Sequence, residues 1–211
     1  MPEALEGEPT PCDSAVVSTA ERAGQAKPDL DGASDWTHPL GPLGDIDEGA
    51  VAAFWARAIE HGAAEPGTPT PQPVERFGDS REMADELLGL VLAGPKRATA
   101  GSIADFEREG VPLPAPGTVW IVADGDGNPR AVLRTTDVRV GPLSSVDDAF
   151  AWDEGEGDRT RAWWLDVHER YFRRTIEAAG DEFTNDMPTV FERFEVAYAE
   201  PAPPGPGTEA R

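Results

Sequence analysis

A lysine and a threonine three residues apart are the side chains of this chain whose types and spacing best suit catalysis. They are Lys96 and Thr99 of the segment Lys-Arg-Ala-Thr. A threonine hydroxyl becomes a useful nucleophile when a base removes its proton, and a lysine desolvated in a pocket can be that base. Side chains at this spacing meet if the turn is helical. A solvated loop lysine beside a capping threonine fits the same spacing, so this alternative stays open.

A second group of ionisable side chains is the acidic run at residues 153–158, Asp-Glu-Gly-Glu-Gly-Asp. It directly precedes a predicted helix that begins near Trp163. Acidic residues before a helix are stabilised by the helix dipole, so the run fits a solvated capping segment. It also fits a cleft in which one carboxylate orients a lysine or accepts a proton. The residues alone leave both interpretations open.

The middle of the chain is less acidic than the rest. Residues 93–139 hold six basic and six acidic side chains, whereas the 211-residue chain has 18 and 40 and a formal net charge of −22. A modestly positive pocket for a phosphate or carbonyl group is therefore expected here, whereas a whole basic face for nucleic acid is not. The predicted substrate-binding residues are Arg97, Ser102, Arg134 and Glu154.

Metal-binding patterns are incomplete in this sequence. A loop that begins at Asp124 resembles the start of a calcium loop, but Pro129 replaces the required glycine and Thr135 the bidentate glutamate. The single cysteine, Cys12, allows neither an intrachain disulfide nor a thiolate zinc cluster. We predict no metal and no cofactor.

The elements that must position these residues are helices mixed with short strands. Without regular βαβ spacing, this order predicts an α+β domain with a small barrel. His168 follows Trp164 by one helical turn and is interpreted as a packed histidine rather than a catalytic one. The predicted elements are a helix at 47–59 capped by Asp47, a strand at 73–77, a helix opened by an Asp79–Glu82 capping box and ended by Gly94-Pro95, a hairpin of 119–123 with 131–140, a helix at 163–176 and a strand at 190–199.

The ends of the chain differ in composition from its middle. Residues 1–45 carry nine acidic and two basic side chains with little aromatic content, and 200–211 are rich in Pro and Gly. Such segments bury too little apolar area to offset chain entropy, so both are predicted to be disordered. One domain is expected at 46–199. No apolar run resembles a signal peptide or a membrane span, and a cytoplasmic location with no membrane partner is expected.

Five short motifs in a fixed order resemble the ASCH domain family, specifically its small bacterial stand-alone members. The resemblance covers about residues 46–199, and the ordered set is more specific than any one motif. The motifs are Phe-Gly-Asp at 77–79, Gly-Pro-Lys-Arg-Ala-Thr at 94–99, Gly-Thr-Val-Trp at 117–120, Glu-Gly-Glu-Gly-Asp at 154–158, and the segment from Trp164 through His168 to Tyr171-Phe172.

The resemblance implies a PUA-like β-barrel with surrounding helices and a lateral cleft. Some small members hydrolyse the amide of N4-acetylcytidine with a Lys-x-x-Thr pair and a glutamate, which Lys96 and Thr99 match residue for residue. Glu156 is the favoured glutamate and Glu154 the second choice. The alternatives are a non-catalytic RNA-binding or nucleotide-binding module and a ribonuclease. The implied partners are a nucleoside-like small molecule or short single-stranded RNA, not duplex DNA.

Overall fold

The computed structural model describes residues 42–200, so most of the predicted acidic leader (1–41) and nearly all of the Pro/Gly tail (201–211) lie outside the described residues. Helices and strands alternate irregularly along this part of the chain, which confirms the predicted α+β class. The helices are α1 (Glu48–Glu60), α2 (Arg81–Ala93), α3 (Ile103–Glu109), α4 (Asp148–Glu154) and α5 (Arg161–Ala178), and the strands are β1 (Ala98–Ser102), β2 (Val119–Ala123), β3 (Pro129–Pro142) and β4 (Pro188–Ala199).

The four strands form one antiparallel sheet in the order β1-β4-β3-β2. It curls into a half-barrel, so β1 and β2 are its two free edges and the opening lies between them. The predicted hairpin is confirmed as β2 and β3. The predicted strand at 73–77 is wrong: only Glu75 forms a bridge, to Val122 of β2. Pro73 lacks the N–H that a longer ladder would need.

Side-chain caps begin the two helices that precede the sheet. Asp47 accepts hydrogen bonds from the first turn of α1, as predicted. The predicted capping box of α2 is wrong, because Ser80 and not Asp79 accepts the bond from Met83 N. The Asp79 carboxylate instead forms an ion pair with Arg174 of α5, Nη2 to Oδ2 2.5 Å.

Helix α5 is held between two parts of the hydrophobic core. Val167 packs with residues of α2 and with Phe194 of β4. Trp164 and Phe172 pack in a second cluster with Phe150 of α4 and with residues of β4. The long aromatic side chains on both sides of this helix fix its rotation, so the residues between them face the interior. No helix within residues 42–200 is long and apolar enough to cross a membrane.

Candidate functional site

Lys96 lies in the interior of the protein, between the two glutamates of the acidic run. Its side chain is 1% exposed. Its Nζ atom is 2.5 Å from Glu156 Oε1 and 3.6 Å from Glu154 Oε1. The run at 153–158 is therefore not a solvated capping segment throughout, because Glu154 and Glu156 are 1% and 6% exposed. A buried lysine with two carboxylates is a charge cluster that only mutual pairing makes tolerable.

The chain backbone explains why both glutamates reach one lysine. Helix α4 ends at Glu154, and Gly155 caps it with a φ of 74°. A Cβ atom on Gly155 would lie 2.4 Å from the carbonyl of Pro95, so only glycine allows the two segments to approach this closely. A hydrogen bond from Arg97 N to Asp153 O, 2.7 Å long, joins the same segments. The Glu-Gly-Glu spacing therefore places a carboxylate on each side of Lys96.

His168 of α5 completes the cluster, and sequence reasoning assigned it to the core alone. Its ring stacks on Trp164 at 3.8 Å between centroids, as a packed histidine would. Its Nε2 atom, however, is 3.5 Å from Glu154 Oε1. Its Nδ1 atom is 3.0 Å from the Trp164 carbonyl oxygen, which only accepts, so Nδ1 carries a hydrogen. With a carboxylate facing Nε2, the arrangement favours the doubly protonated ring.

The titration of the cluster follows from burial and from these neighbours. Burial alone would lower the pKa of His168, but the Glu154 carboxylate outweighs it and raises the pKa above its ordinary value. Burial opposes the ionised form of Glu154, yet His168 and Lys96 hold the pKa of Glu154 below its ordinary value. Burial raises the pKa of Glu156, and the negative Glu154 adds to this shift, although Lys96 opposes it. Glu156 is thus the carboxylate of the pair that takes up a proton more readily.

Thr99 shares a cavity with this cluster, but not through a helical turn. Lys96 precedes β1, and Thr99 lies within that strand, opposite Glu192 of β4, so the helical condition under which this spacing would bring the two side chains together is not met. Both side chains nevertheless line one small chamber of about 60 Å³, together with Glu154, Glu156 and His168. We call this cavity the inner chamber. Among the described residues, none forms a hydrogen bond with the Thr99 hydroxyl, so that group is available to a ligand.

A larger cavity, which we call the outer groove, lies in the opening between the two sheet edges. Its volume is about 380 Å³, and residues of β1 and β2 line opposite sides of it. Thr99 belongs to the lining of both cavities, and so does Tyr171 of α5. Thr99 therefore stands where the inner chamber meets the outer groove. A molecule bound in the groove would present its inner end to this hydroxyl.

The predicted substrate-binding residues are not all brought to the cleft. Ser102 lines the outer groove, although its hydroxyl also caps α3 by accepting from Ala104 N. Arg97 and Arg134 line neither cavity. The Arg97 guanidinium donates to the Val91 and Lys96 carbonyls, and the Arg134 guanidinium donates to Glu195 and to the Ala63 carbonyl. Both guanidinium groups are used in contacts within the fold, so Lys96 is the basic residue that remains in the lining of the inner chamber.

Two functional candidates that sequence reasoning missed lie on α5. His168 and Tyr171 line the inner chamber with Val167 of the same helix. Burial raises the pKa of Tyr171, so its hydroxyl keeps its proton and remains a donor. The spacing of Trp164, His168 and Tyr171 on one helical stripe was the available signal, but core packing explains such a stripe equally well.

One atom of the cluster has no partner. Glu154 Oε2 is buried, and no hydrogen-bond donor within residues 42–200 reaches it. Leaving a buried carboxylate oxygen unsatisfied costs on the order of 1–3 kcal/mol, so such an atom marks a place where a water or a ligand donor belongs. In the same residues, no group of three or more His, Cys, Asp or Glu side chains is arranged to hold a metal ion.

The outer groove is acidic. Glu75, Asp105, Glu109 and Glu192 line it with Arg76 as the one basic residue among its lining. Glu192 is 7% exposed and accepts a hydrogen bond from Thr135 Oγ1 at 2.5 Å. Burial, with smaller contributions from Glu109 and Glu192, raises the pKa of Glu75 from 4.5 to about 7. The groove thus holds carboxyl groups whose ionised forms repel one another.

Replacing Glu75 with glutamine is expected to stabilise the protein above pH 7. The folded state binds the Glu75 proton more tightly than the unfolded state, so the stability that this proton supports is lost as pH rises from 4.5 to about 7. Glu75→Gln removes that loss, which we expect to be about 2 kcal/mol for this partly exposed group. Urea unfolding at pH 5 and pH 8 measures it. Equal stability of variant and parent at pH 8 would show that Glu75 ionises normally.

The half-barrel sheet, its flanking helices and the cleft at the sheet opening define an α+β domain of the PUA-like class. A family model for the ASCH domain matches residues 74–198. The chain belongs to the ASCH domain family, which confirms the resemblance found in the sequence motifs.

Two solved structures are similar to this chain over most of its length. One is a crystal structure of a protein from Enterococcus faecalis V583 of the family DUF984, with 34% identity over 70% of this chain and 88% of that chain and a TM-score of 0.63. The other is the crystal structure of an ASCH domain from Lactobacillus crispatus JV V101, with 28% identity over 72% of this chain and 96% of that chain and a TM-score of 0.64. No curated protein matches the chain.

Proposed function

We propose that this protein is an amidohydrolase that acts on an acylated nucleoside such as N4-acetylcytidine, or on a related small amide. The observation that carries the proposal is the burial of Lys96 against Glu156 in the same chamber that Thr99 lines. A structural role does not require a fully buried lysine, and the Thr99 hydroxyl in the same chamber adds a nucleophile. Together they supply the base and nucleophile of acyl transfer.

The short contact between Lys96 and Glu156 provides the base. In a dry chamber the ion pair and its neutral form, an amine beside a carboxylic acid, are closer in energy than in water. The raised pKa of Glu156 favours this transfer of the proton from Lys96 Nζ to the carboxylate. The free amine then removes the Thr99 hydroxyl proton as the oxygen attacks the acyl carbon. The same proton passes from Lys96 to the departing amine nitrogen when the C–N bond breaks.

The tetrahedral intermediate requires hydrogen-bond donors around its oxyanion. Tyr171 lines both cavities, as Thr99 does, and its hydroxyl keeps its proton, so we assign it as an oxyanion donor. Because β1 is an edge strand, alternate backbone N–H groups beside Thr99 also lack a strand partner. Arg97, which the sequence analysis predicted to bind substrate, does not line the chamber and takes no part in this step.

Glu154 acts in the second step, the hydrolysis of the acyl-threonine ester. Its unpartnered Oε2 atom accepts a hydrogen bond from the water that attacks the acyl-threonine ester. Its other oxygen faces Lys96 and His168, which hold it ionised. Lys96, again a neutral amine after the first step, takes a proton from this water as the water oxygen bonds to the acyl carbon. The same proton passes to the Thr99 oxygen as the ester C–O bond breaks, which releases the free acid and restores the hydroxyl.

The outer groove favours a small uncharged molecule over RNA. Above pH 7, where Glu75 is ionised, its acidic lining repels phosphate, and neutralising a phosphate chain needs clustered basic residues that this groove does not offer. Its volume of about 380 Å³ suits a nucleoside-sized ligand, and Trp120 and Phe106 supply aromatic faces for a base. Single-stranded RNA binding and RNA cleavage in this cleft are therefore the weaker alternatives.

A panel of acylated nucleosides tests the proposal. We expect the parent protein to release acetate from N4-acetylcytidine, and to do so at least about tenfold more slowly from its 5′-monophosphate, because a phosphate in the acidic groove is repelled. Acid release is measured directly, with labelled single-stranded RNA incubated in parallel. Glu156→Gln should lose the activity, while Glu195→Gln, an exposed glutamate outside the cleft, should keep it. Failure to release acid from any nucleoside, with cleavage of the RNA, would favour the ribonuclease instead.

A further inference from the structure

The two cavities that meet at Thr99 differ in size and in lining. The inner chamber has about 60 Å³, and the outer groove has about 380 Å³. A single bound water needs a cavity volume of about 10–15 Å³, so the inner chamber has room for a few waters. A nucleoside does not fit in such a space. Whatever part of a ligand enters the chamber is small.

The reaction geometry decides which part that is. A carbonyl carbon under attack by the Thr99 oxygen carries an acyl chain on one side and the amide nitrogen on another. Since Thr99 stands where the cavities meet, these two substituents point into different cavities. Only the outer groove is large enough for the nitrogen and the group attached to it. The acyl chain therefore occupies the inner chamber.

The chamber has an apolar side that suits such a chain. Met83 and Leu87 of α2, Val167 of α5 and Phe77 line it together with the charged cluster, and the Phe77 ring centroid lies 5.2 Å from Lys96 Nζ. All four are among the buried core residues, so packed neighbours limit how far they move. Leu87 is 6% exposed and, unlike the flexible Met83, adapts little to an added methylene.

We propose that the inner chamber is an acyl pocket which accepts an acetyl-sized group and excludes longer chains, with Leu87 as a wall that sets this limit. The inference rests on the proposed amide hydrolysis and adds to it the class of acyl group. The natural substrate is then an amide that joins a short acyl chain to a larger, uncharged amine.

Enlarging the chamber tests the proposal. The kcat/KM for N4-acetylcytidine and for N4-butyrylcytidine are measured with the parent protein, with Leu87→Ala and with the milder Leu87→Val. The parent is expected to prefer the acetyl compound by about 100-fold or more, since butyryl is two methylenes longer and each methylene in a tight apolar pocket is worth roughly tenfold. In Leu87→Ala the ratio should move toward the butyryl compound by about tenfold, and in Leu87→Val by less.

Leu88→Ala is the matched control. Leu88 is 2% exposed in the same core cluster and lines neither cavity, so its truncation weakens packing without enlarging the chamber. It should leave the acetyl-to-butyryl ratio at the parent value. Acetyl hydrolysis by the parent with an unchanged ratio in both Leu87 variants would overturn the acyl pocket alone. A parent that hydrolyses neither compound would overturn the proposed function and the acyl pocket together.

Discussion

Thr99→Ala is expected to abolish amide hydrolysis while leaving the fold intact. The Thr99 oxygen is the atom that attacks the acyl carbon in the proposed reaction, and removing a nucleophile commonly lowers kcat by at least about 1,000-fold. The cost in stability should be small, about 1 kcal/mol or less, because the hydroxyl bonds to none of the described residues. Acid release from N4-acetylcytidine gives the activity, and urea unfolding gives the stability.

Two further variants separate the chemical role of Thr99 from its place in the cleft. Thr99→Ser keeps the hydroxyl and should retain activity within about tenfold of the parent. Thr136→Ala removes an exposed threonine of β3 that lines neither cavity, and it should keep turnover. An active Thr99→Ala protein would contradict the mechanism.

Lys96→Met is expected to remove activity and to destabilise the folded protein strongly at neutral pH. Methionine fills a similar volume but leaves Glu154 and Glu156 buried as two like charges. Breaking a buried ion pair by removing one partner typically costs about 3–5 kcal/mol. Lys96 lowers the pKa of Glu156 in the parent, so its removal raises that pKa further, and the variant should regain stability as pH falls and the carboxylate takes up a proton.

The double variant Lys96→Met/Glu156→Gln tests whether this loss comes from the uncompensated charge. Replacing the carboxylate by an amide removes one of the two charges, so most of the stability should return, whereas activity should not. Unfolding curves for the parent, both single variants and the double variant at pH 8 give the coupling energy. A Lys96→Met protein as stable as the parent would show that the lysine does not neutralise this cluster.

Part of the candidate site follows from sequence because the chemistry needs particular residue types. Lys96 and Thr99 stand out since a base and a nucleophile at short spacing suit acyl transfer, and the Glu-Gly-Glu run offers carboxylates to orient them. The structure brings these residues to one cavity and places Glu156 nearer to Lys96 than Glu154. Their catalytic roles remain predictions. The long helices and the β2–β3 hairpin also follow from sequence, because their apolar periodicity and turn residues are strong local signals.

Other parts could not be predicted because nonlocal contacts decide them. Strand β1 has the sequence Ala-Thr-Ala-Gly-Ser, which shows no strong strand preference and forms a strand through pairing with β4. That pairing makes the segment extended, so Lys96 and Thr99 share the inner chamber without a helical turn between them. The position of Arg97 also depends on a nonlocal contact. Its guanidinium donates to the Val91 carbonyl in α2 and does not reach the cleft. His168 reaches Glu154 only because α5 packs beside α4.

Mass spectrometry of protein quenched during turnover tests the central claim most directly. Mixing with N4-acetylcytidine should produce a species that carries one acetyl group, which peptide mapping places on Thr99. In Glu154→Gln the species should accumulate, because that carboxylate holds the water for its hydrolysis. Acetate release by the parent without an acetyl group on Thr99 in either protein, together with full activity of Thr99→Ala, would contradict the account.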